Sequence, residues 1–146
     1  MKKTFVFVVA LVTIFIFSGL LQAADSIVGV WSQPILKGKD KGKERSHVEI
    51  FEKDGVYYGK IVKLTTVSAN ALCTTCKQER KDKPLMGMLI LWDLKKEAGR
   101  YVEGKIYDVE EGKEYKCSLA QITPDRLKVT ASVLFLSESH YWTRVK

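Results

Sequence analysis

Short runs of β-branched and aromatic residues recur along this chain after residue 25, each bounded by Gly, Pro or Asp, and helical periodicity is scarce. That pattern constrains the fold more than any other feature. Residues 27–33 form a first run that ends near Pro34. Residues 46–52 alternate, with Ser46, Val48 and Ile50 on one face and His47, Glu49 and Phe51 on the other. Lys53-Asp54-Gly55 then signals a hairpin, because Asp-Gly supplies the positive φ angles of a tight turn. The chain returns through 56–64. Further runs cover 85–94, apolar on both faces, then 101–109, 114–122, 126–135 and 140–146. They are separated by Ala98-Gly99, by Glu110-Glu111-Gly112-Lys113, by Pro124-Asp125 and by Ser137-Glu138-Ser139. The long exception is 65–83, where small and polar residues do not alternate; Ser68 can cap a short helix over 69–72, and Pro84 closes the segment. About eight strands with short connections predict an all-β, antiparallel up-and-down β-barrel, since hairpins join antiparallel neighbours and closure removes exposed edges.

The N-terminus reads separately. Lys2 and Lys3 precede an apolar run, 5–17, broken only by Thr13; Ser18 and Gly19 end it, and Gln22-Ala23-Ala24 offers small residues for cleavage. The run is short of the roughly 20 residues a membrane span needs. The expectation is a secretory signal over 1–24, no stable membrane span after its removal, and one domain over 25–146 in a secreted or periplasmic setting. Removing 1–24 takes away Lys2 and Lys3 and no acid, so the formal charge falls from +7 to +5. Lys37, Lys39, Lys41, Lys43 and Arg45 concentrate that excess in one glycine-containing segment. This is either a patch for an anionic partner or a solvated hairpin tip. No aromatic residue interleaves the lysines to stack a base, so nucleic acid is not expected.

Two motifs bracket the predicted barrel: Gly29-Val30-Trp31 on the first strand and Trp142-Thr143-Arg144 on the last. The pair resembles the lipocalin pattern, in which a terminal Arg packs on the first-strand Trp. A planar guanidinium can stack on indole while its forked donors reach carbonyl groups. Trp31 and Arg144 are therefore assigned to barrel closure. In order along the chain come Gly29-Val30-Trp31, the run from Tyr58-Gly59-Lys60 to Leu64, Lys83-Pro84-Leu85-Met86-Gly87-Met88, Gly104-Lys105-Ile106-Tyr107-Asp108, and Trp142-Thr143-Arg144-Val145. Together they resemble the exported bacterial family called domain of unknown function 2147, across the whole predicted domain. The resemblance implies a lipocalin-like barrel and no particular reaction. Cys73 and Cys76 depart from the commoner family form of the long segment.

Cys73-Thr74-Thr75-Cys76 has three readings: a structural disulfide, a thiol-redox centre, or half of a zinc site completed by Cys117 with His47 or His140. Redox use requires the motif at a helix start in a βαβ setting, which this chain lacks, and no spaced second pair completes a zinc site. A disulfide in so short a loop stabilises by about 2 kcal/mol. Cys117 shares a face with Tyr115 and Leu119 and reads as a buried free thiol. His47 and His140 lie near no recognisable nucleophile motif. Asp108, Glu110 and Glu111 suit a hairpin turn as well as acid–base work or calcium. No catalytic residue, metal or cofactor is expected.

The apolar residues are the best clue to a ligand. Met86, Met88, Ile90 and Trp92 share one parity, Tyr101 and Tyr107 another, and Leu127, Val129, Ala131, Val133 and Phe135 a third. They either fill the barrel or line a pocket. The expected site is Met86, Met88, Ile90, Trp92, Tyr107 and Val129, holding a small hydrophobic molecule or lipid fragment. The alternatives are an envelope interaction protein with a filled barrel and a thiol-redox protein. Thiol counting on the oxidised, denatured chain is expected to give one free thiol; three would remove the structural disulfide.

Overall fold

The computed structural model describes residues 26–146, so the expected signal over 1–24 lies outside the described residues. Eight strands run in chain order: β1 Gly29–Pro34, β2 Glu44–Lys53, β3 Val56–Leu64, β4 Leu89–Glu97, β5 Arg100–Asp108, β6 Lys113–Thr123, β7 Arg126–Val133 and β8 Leu136–Arg144. Each pairs antiparallel with its neighbour, and β8 returns to β1, closing the barrel. The expected all-β barrel is the observed fold.

Local chemistry sets the hairpins. Asp54 and Gly55 both take positive φ, 53° and 78°, as do Ala98 and Gly99 at 47° and 77°. These are the angles that match a two-residue turn to strand twist. Along β2 the expected alternation holds, with Ser46, Val48 and Ile50 buried. Ser46 is a buried polar residue, and its hydroxyl is satisfied by donating to Gln33 Oε1 at 2.9 Å.

One end of the barrel is filled. Trp31, Ile50, Tyr57, Leu94, Tyr101, Leu119 and Leu127 are buried there, and the Tyr57 and Tyr101 rings meet edge to face at 4.7 Å. The packing is tight enough that a Cβ at Gly104 would fall 2.3 Å from Leu94. At the same end the Arg144 guanidinium lies over the Trp31 ring at 4.2 Å. Its nitrogens donate to Pro124 O at 2.7 Å, Val28 O at 3.0 Å and Ser26 O at 2.8 Å. Trp31 Nε1 donates to Ile27 O at 2.7 Å. Gly29 makes room for this arrangement: its φ is +135°, and a Cβ would sit 2.7 Å from Arg144 Nη1.

Three expectations need correction. No helix forms over 69–72; Ser68 instead accepts bonds from Ala71 N and Asn70 N in a turn, and a short 3-10 helix lies at Gln78–Arg80. Four residues do not repay helix nucleation. β4 begins at Leu89 and not at residue 85, because Met88 N turns back to Leu85 O at 3.1 Å. Finally β7 ends at Val133, the last turn is Leu134-Phe135, and Ser137, Glu138 and Ser139 belong to β8. That turn carries no polar signal in the sequence.

Trp31→Ala is expected to destabilise by about 3–5 kcal/mol, the range for truncating a large buried aromatic. Gly29→Ala should also destabilise, through its positive φ and the contact with Arg144. Urea unfolding checks both; unchanged midpoints would show that closure does not depend on this cluster.

Candidate functional site

The other end of the barrel is hollow. A cavity of about 530 Å³ opens there, between the β1–β2 loop, the 109–112 turn and the Leu134-Phe135 turn. Its apolar wall is built from Ile90 of β4, Ile106 of β5, Val129 and Ala131 of β7 and Trp142 of β8. Val129 and Trp142 are the lining residues nearest the filled end on their strands. Small side chains at Val129 and Ala131, paired with His140 and Glu138 across the ladder, leave the space that Leu127 and Trp142 fill one pair further down.

The rim is polar. Asp108 Oδ1 accepts from Glu110 N at 2.8 Å and Glu111 N at 3.1 Å, so this carboxylate shapes the β5–β6 turn, as the turn reading expected. Lys37 Nζ pairs with Glu111 at 2.8 Å, Tyr115 OH donates to the same carboxylate, and Arg45 meets Glu110 at 3.4 Å. The Lys37 bond, then the Tyr115 bond, hold the Glu111 carboxyl below its ordinary range. The Glu111 bond, then burial, push the Tyr115 phenol up to about 12. His140 also faces the cavity, with Nε2 3.5 Å from Glu138 Oε1.

The 65–88 segment braces this rim from outside. The Cys73–Cys76 disulfide is formed and both cysteines are buried. Cys73 N donates to Lys83 O at 2.8 Å, and Asp82 N donates to Cys73 O at 3.0 Å. Thr75 Oγ1 donates to Val109 O, and Lys77 N donates to Tyr107 OH at 3.1 Å. Arg80 lies 4.8 Å from the Trp92 ring and 4.7 Å from the Tyr107 ring. The disulfide therefore sits in a strut against the β5–β6 turn. Cys117 is a buried free thiol, with its pKa raised to about 12 by burial. Among the described residues no three of His, Cys, Asp and Glu gather as a metal site.

Of the six expected site residues, the structure brings Ile90, Tyr107 and Val129 together at the cavity. Met86 and Met88 border a separate shallow depression beside Arg80, and Trp92 lies under Arg80, away from the cavity lining. The shared face fails for two reasons: Met86 and Met88 precede β4, in the turn that Met88 N closes on Leu85 O, and β4 is bulged ahead of Trp92. Gly59 pairs with Leu91 but Lys60 with Leu89, so Ile90 is an extra residue and parity changes there. Ile106, Ala131, Tyr115, His140 and Trp142 also line it. Ala131 was legible from its parity with Val129, and His140 from its parity with Trp142.

A closed eight-stranded antiparallel barrel with a filled base and a Trp–Arg closure is lipocalin-like. The chain belongs to the bacterial family described as an uncharacterised protein conserved in bacteria (DUF2147), whose model matches residues 29–144. A protein of the human pathogen Helicobacter pylori, described as belonging to the lipocalin family, has a similar structure: TM-score 0.71, 24% identity, covering 83% of this chain and 84% of that one. At that identity the likeness concerns the fold. No curated protein matches the sequence.

The rim bonds carry a pH signature. A raised Tyr115 pKa means its contribution to stability is complete below the ordinary value of 10.0 and is lost as pH rises through about 12. The lowered Glu111 pKa contributes above the ordinary carboxyl range and is lost as pH falls through its folded value. Carbon NMR of labelled tyrosine is expected to show one phenol titrating near 12 that Glu111→Gln moves down towards 10; no movement would mean the bond does not persist in solution.

Proposed function

We propose that the protein binds a small, largely apolar molecule in the open half of its barrel and acts as a carrier or scavenger in the bacterial envelope. The observation that carries this reading is the cavity of about 530 Å³. It lies within the roughly 300–1,000 Å³ typical of small-molecule sites. Its deep wall of Ile90, Ile106, Val129 and Trp142 suits an apolar body. Lys37, Arg45 and Tyr115 at the rim suit a polar end. Tyr107 joins the wall and the bracing segment. The envelope setting is supported by the apolar run at 5–17 and by the Cys73–Cys76 disulfide, a bond that persists in oxidising compartments.

The test is Nile red binding, followed by native mass spectrometry and organic extraction of the purified mature chain. Ala131→Trp projects an indole into the cavity and is expected to weaken dye binding by about tenfold or more. Met86→Ala, outside the cavity, is expected to leave it unchanged. A clean apo mass together with no dye binding would turn the assignment towards an interaction protein. Equal binding by Ala131→Trp would place the ligand elsewhere.

A further inference from the structure

The tip of the last hairpin has no structural reason to be apolar. Leu134 and Phe135 are each 91% exposed, and Leu136 and Val133 beside them are 63% and 46% exposed. Leu134 takes φ +53°. A two-residue turn with positive φ at its first position favours Gly there, and a branched residue in that region is strained. The turn thus accepts backbone strain and places two large hydrophobic side chains in water. Neither choice stabilises the barrel.

The basic segment lies beside it. The β1–β2 loop, 35–43, carries four lysines against Asp40 alone. Lys37 pairs with Glu111 and Lys43 with Asp40, whereas Lys39 and Lys41 take no acidic partner among the described residues. β1 and β8 are neighbours at the barrel seam, and Leu36, Lys37, Val133 and Leu136 border the same cavity mouth. Of the nine exposed large hydrophobics among the described residues, six lie at this open end: Val67, Leu72, Val133, Leu134, Phe135 and Leu136. The apolar exposure is therefore concentrated on the rim. Four acidic groups border this rim: Glu110 and Glu111 are engaged by Arg45 and Lys37, Asp108 accepts from the backbone of Glu110 and Glu111, and Glu138 lies 3.5 Å from His140.

We propose that the open rim docks on an anionic lipid bilayer, with Leu134 and Phe135 entering the boundary between headgroups and acyl chains while Lys39 and Lys41 meet lipid phosphates. Apolar insertion combined with nearby cations is the pairing that holds a protein on, not across, a membrane. The inference goes beyond the ligand-binding reading and does not depend on it. If both hold, the mouth of the cavity faces the bilayer, and an apolar ligand passes between them without crossing water.

Flotation of the mature chain with vesicles tests the proposal, comparing mixed phosphatidylglycerol–phosphatidylcholine vesicles with phosphatidylcholine alone. The chain is expected to float with the mixed vesicles and much less with the neutral ones. Leu134→Gly with Phe135→Asn supplies residues the turn prefers, so it should keep or raise the melting temperature and lose binding at least about tenfold. Phe135→Ser alone serves as a second variant that leaves the left-handed residue untouched. Lys39→Gln and Lys41→Gln should each weaken binding about fivefold. No flotation with either vesicle, or flotation that the tip variants leave intact, overturns the proposal. Absence of flotation with dimerisation that the tip variants abolish would instead make the tip a contact between two copies of this chain.

Discussion

The Arg144 guanidinium stacked on Trp31, with three nitrogens donating to the carbonyls of Ser26, Val28 and Pro124, ties together three parts of the chain that lie far apart in the sequence. It holds the residues before β1, the turn before β7 and the end of β8 at one point. A charge can be tolerated there because its donors are satisfied by backbone oxygens and its face by an aromatic ring. Gly29 is required because the guanidinium occupies the space its side chain would need. The filled base, the orientation of β1 and the closed end of the cavity all follow from this cluster.

Above the base, the barrel changes character within a few residues. Large side chains, Tyr57, Tyr101, Leu94 and Leu127, meet across the lower half, while Val129, Ala131 and Ile106 line the upper half with less bulk. An eight-stranded barrel is just wide enough for its side chains to fill, so modest reductions in size open a cavity. The hollow half lacks the packing that stiffens the base. The 65–88 segment compensates from outside, through its disulfide, the Thr75 bond to Val109 and the Arg80 layer between two aromatic rings.

Much of this was legible in the sequence because barrel strands repeat a two-residue period. Val48 and Ile50 on β2, the Asp54-Gly55 turn and the buried Cys117 could be read from residue types and spacing, and the pairing of Trp31 with Arg144 from the resemblance to the lipocalin pattern. What escaped has one physical origin: places where backbone geometry departs from that period. The extra residue at Ile90 separated Trp92 from the interior, and parity alone could not reveal it. The last turn was misplaced because turn signals are polar and Leu134-Phe135 is not. Whether the barrel was hollow depended on volumes summed across seven strands, which no local pattern encodes.

The seam between β1 and β8 is short. Its ladder pairs only Trp31 with Arg144 and Ser32 with Thr143, whereas β7 and β8 pair along eight positions. The groups it joins are also far apart in the chain, with Arg144 and Val28 separated by 116 residues. Every other strand pairing is a local hairpin or spans one loop, so the cost in chain entropy of making the ring falls almost wholly on this contact. Such a sheet can grow hairpin by hairpin as an open, curling ribbon, with its circle completed last. Opened from the native state, the same ring should part first where its zipper has the fewest teeth, along the side of the cavity and not across its mouth.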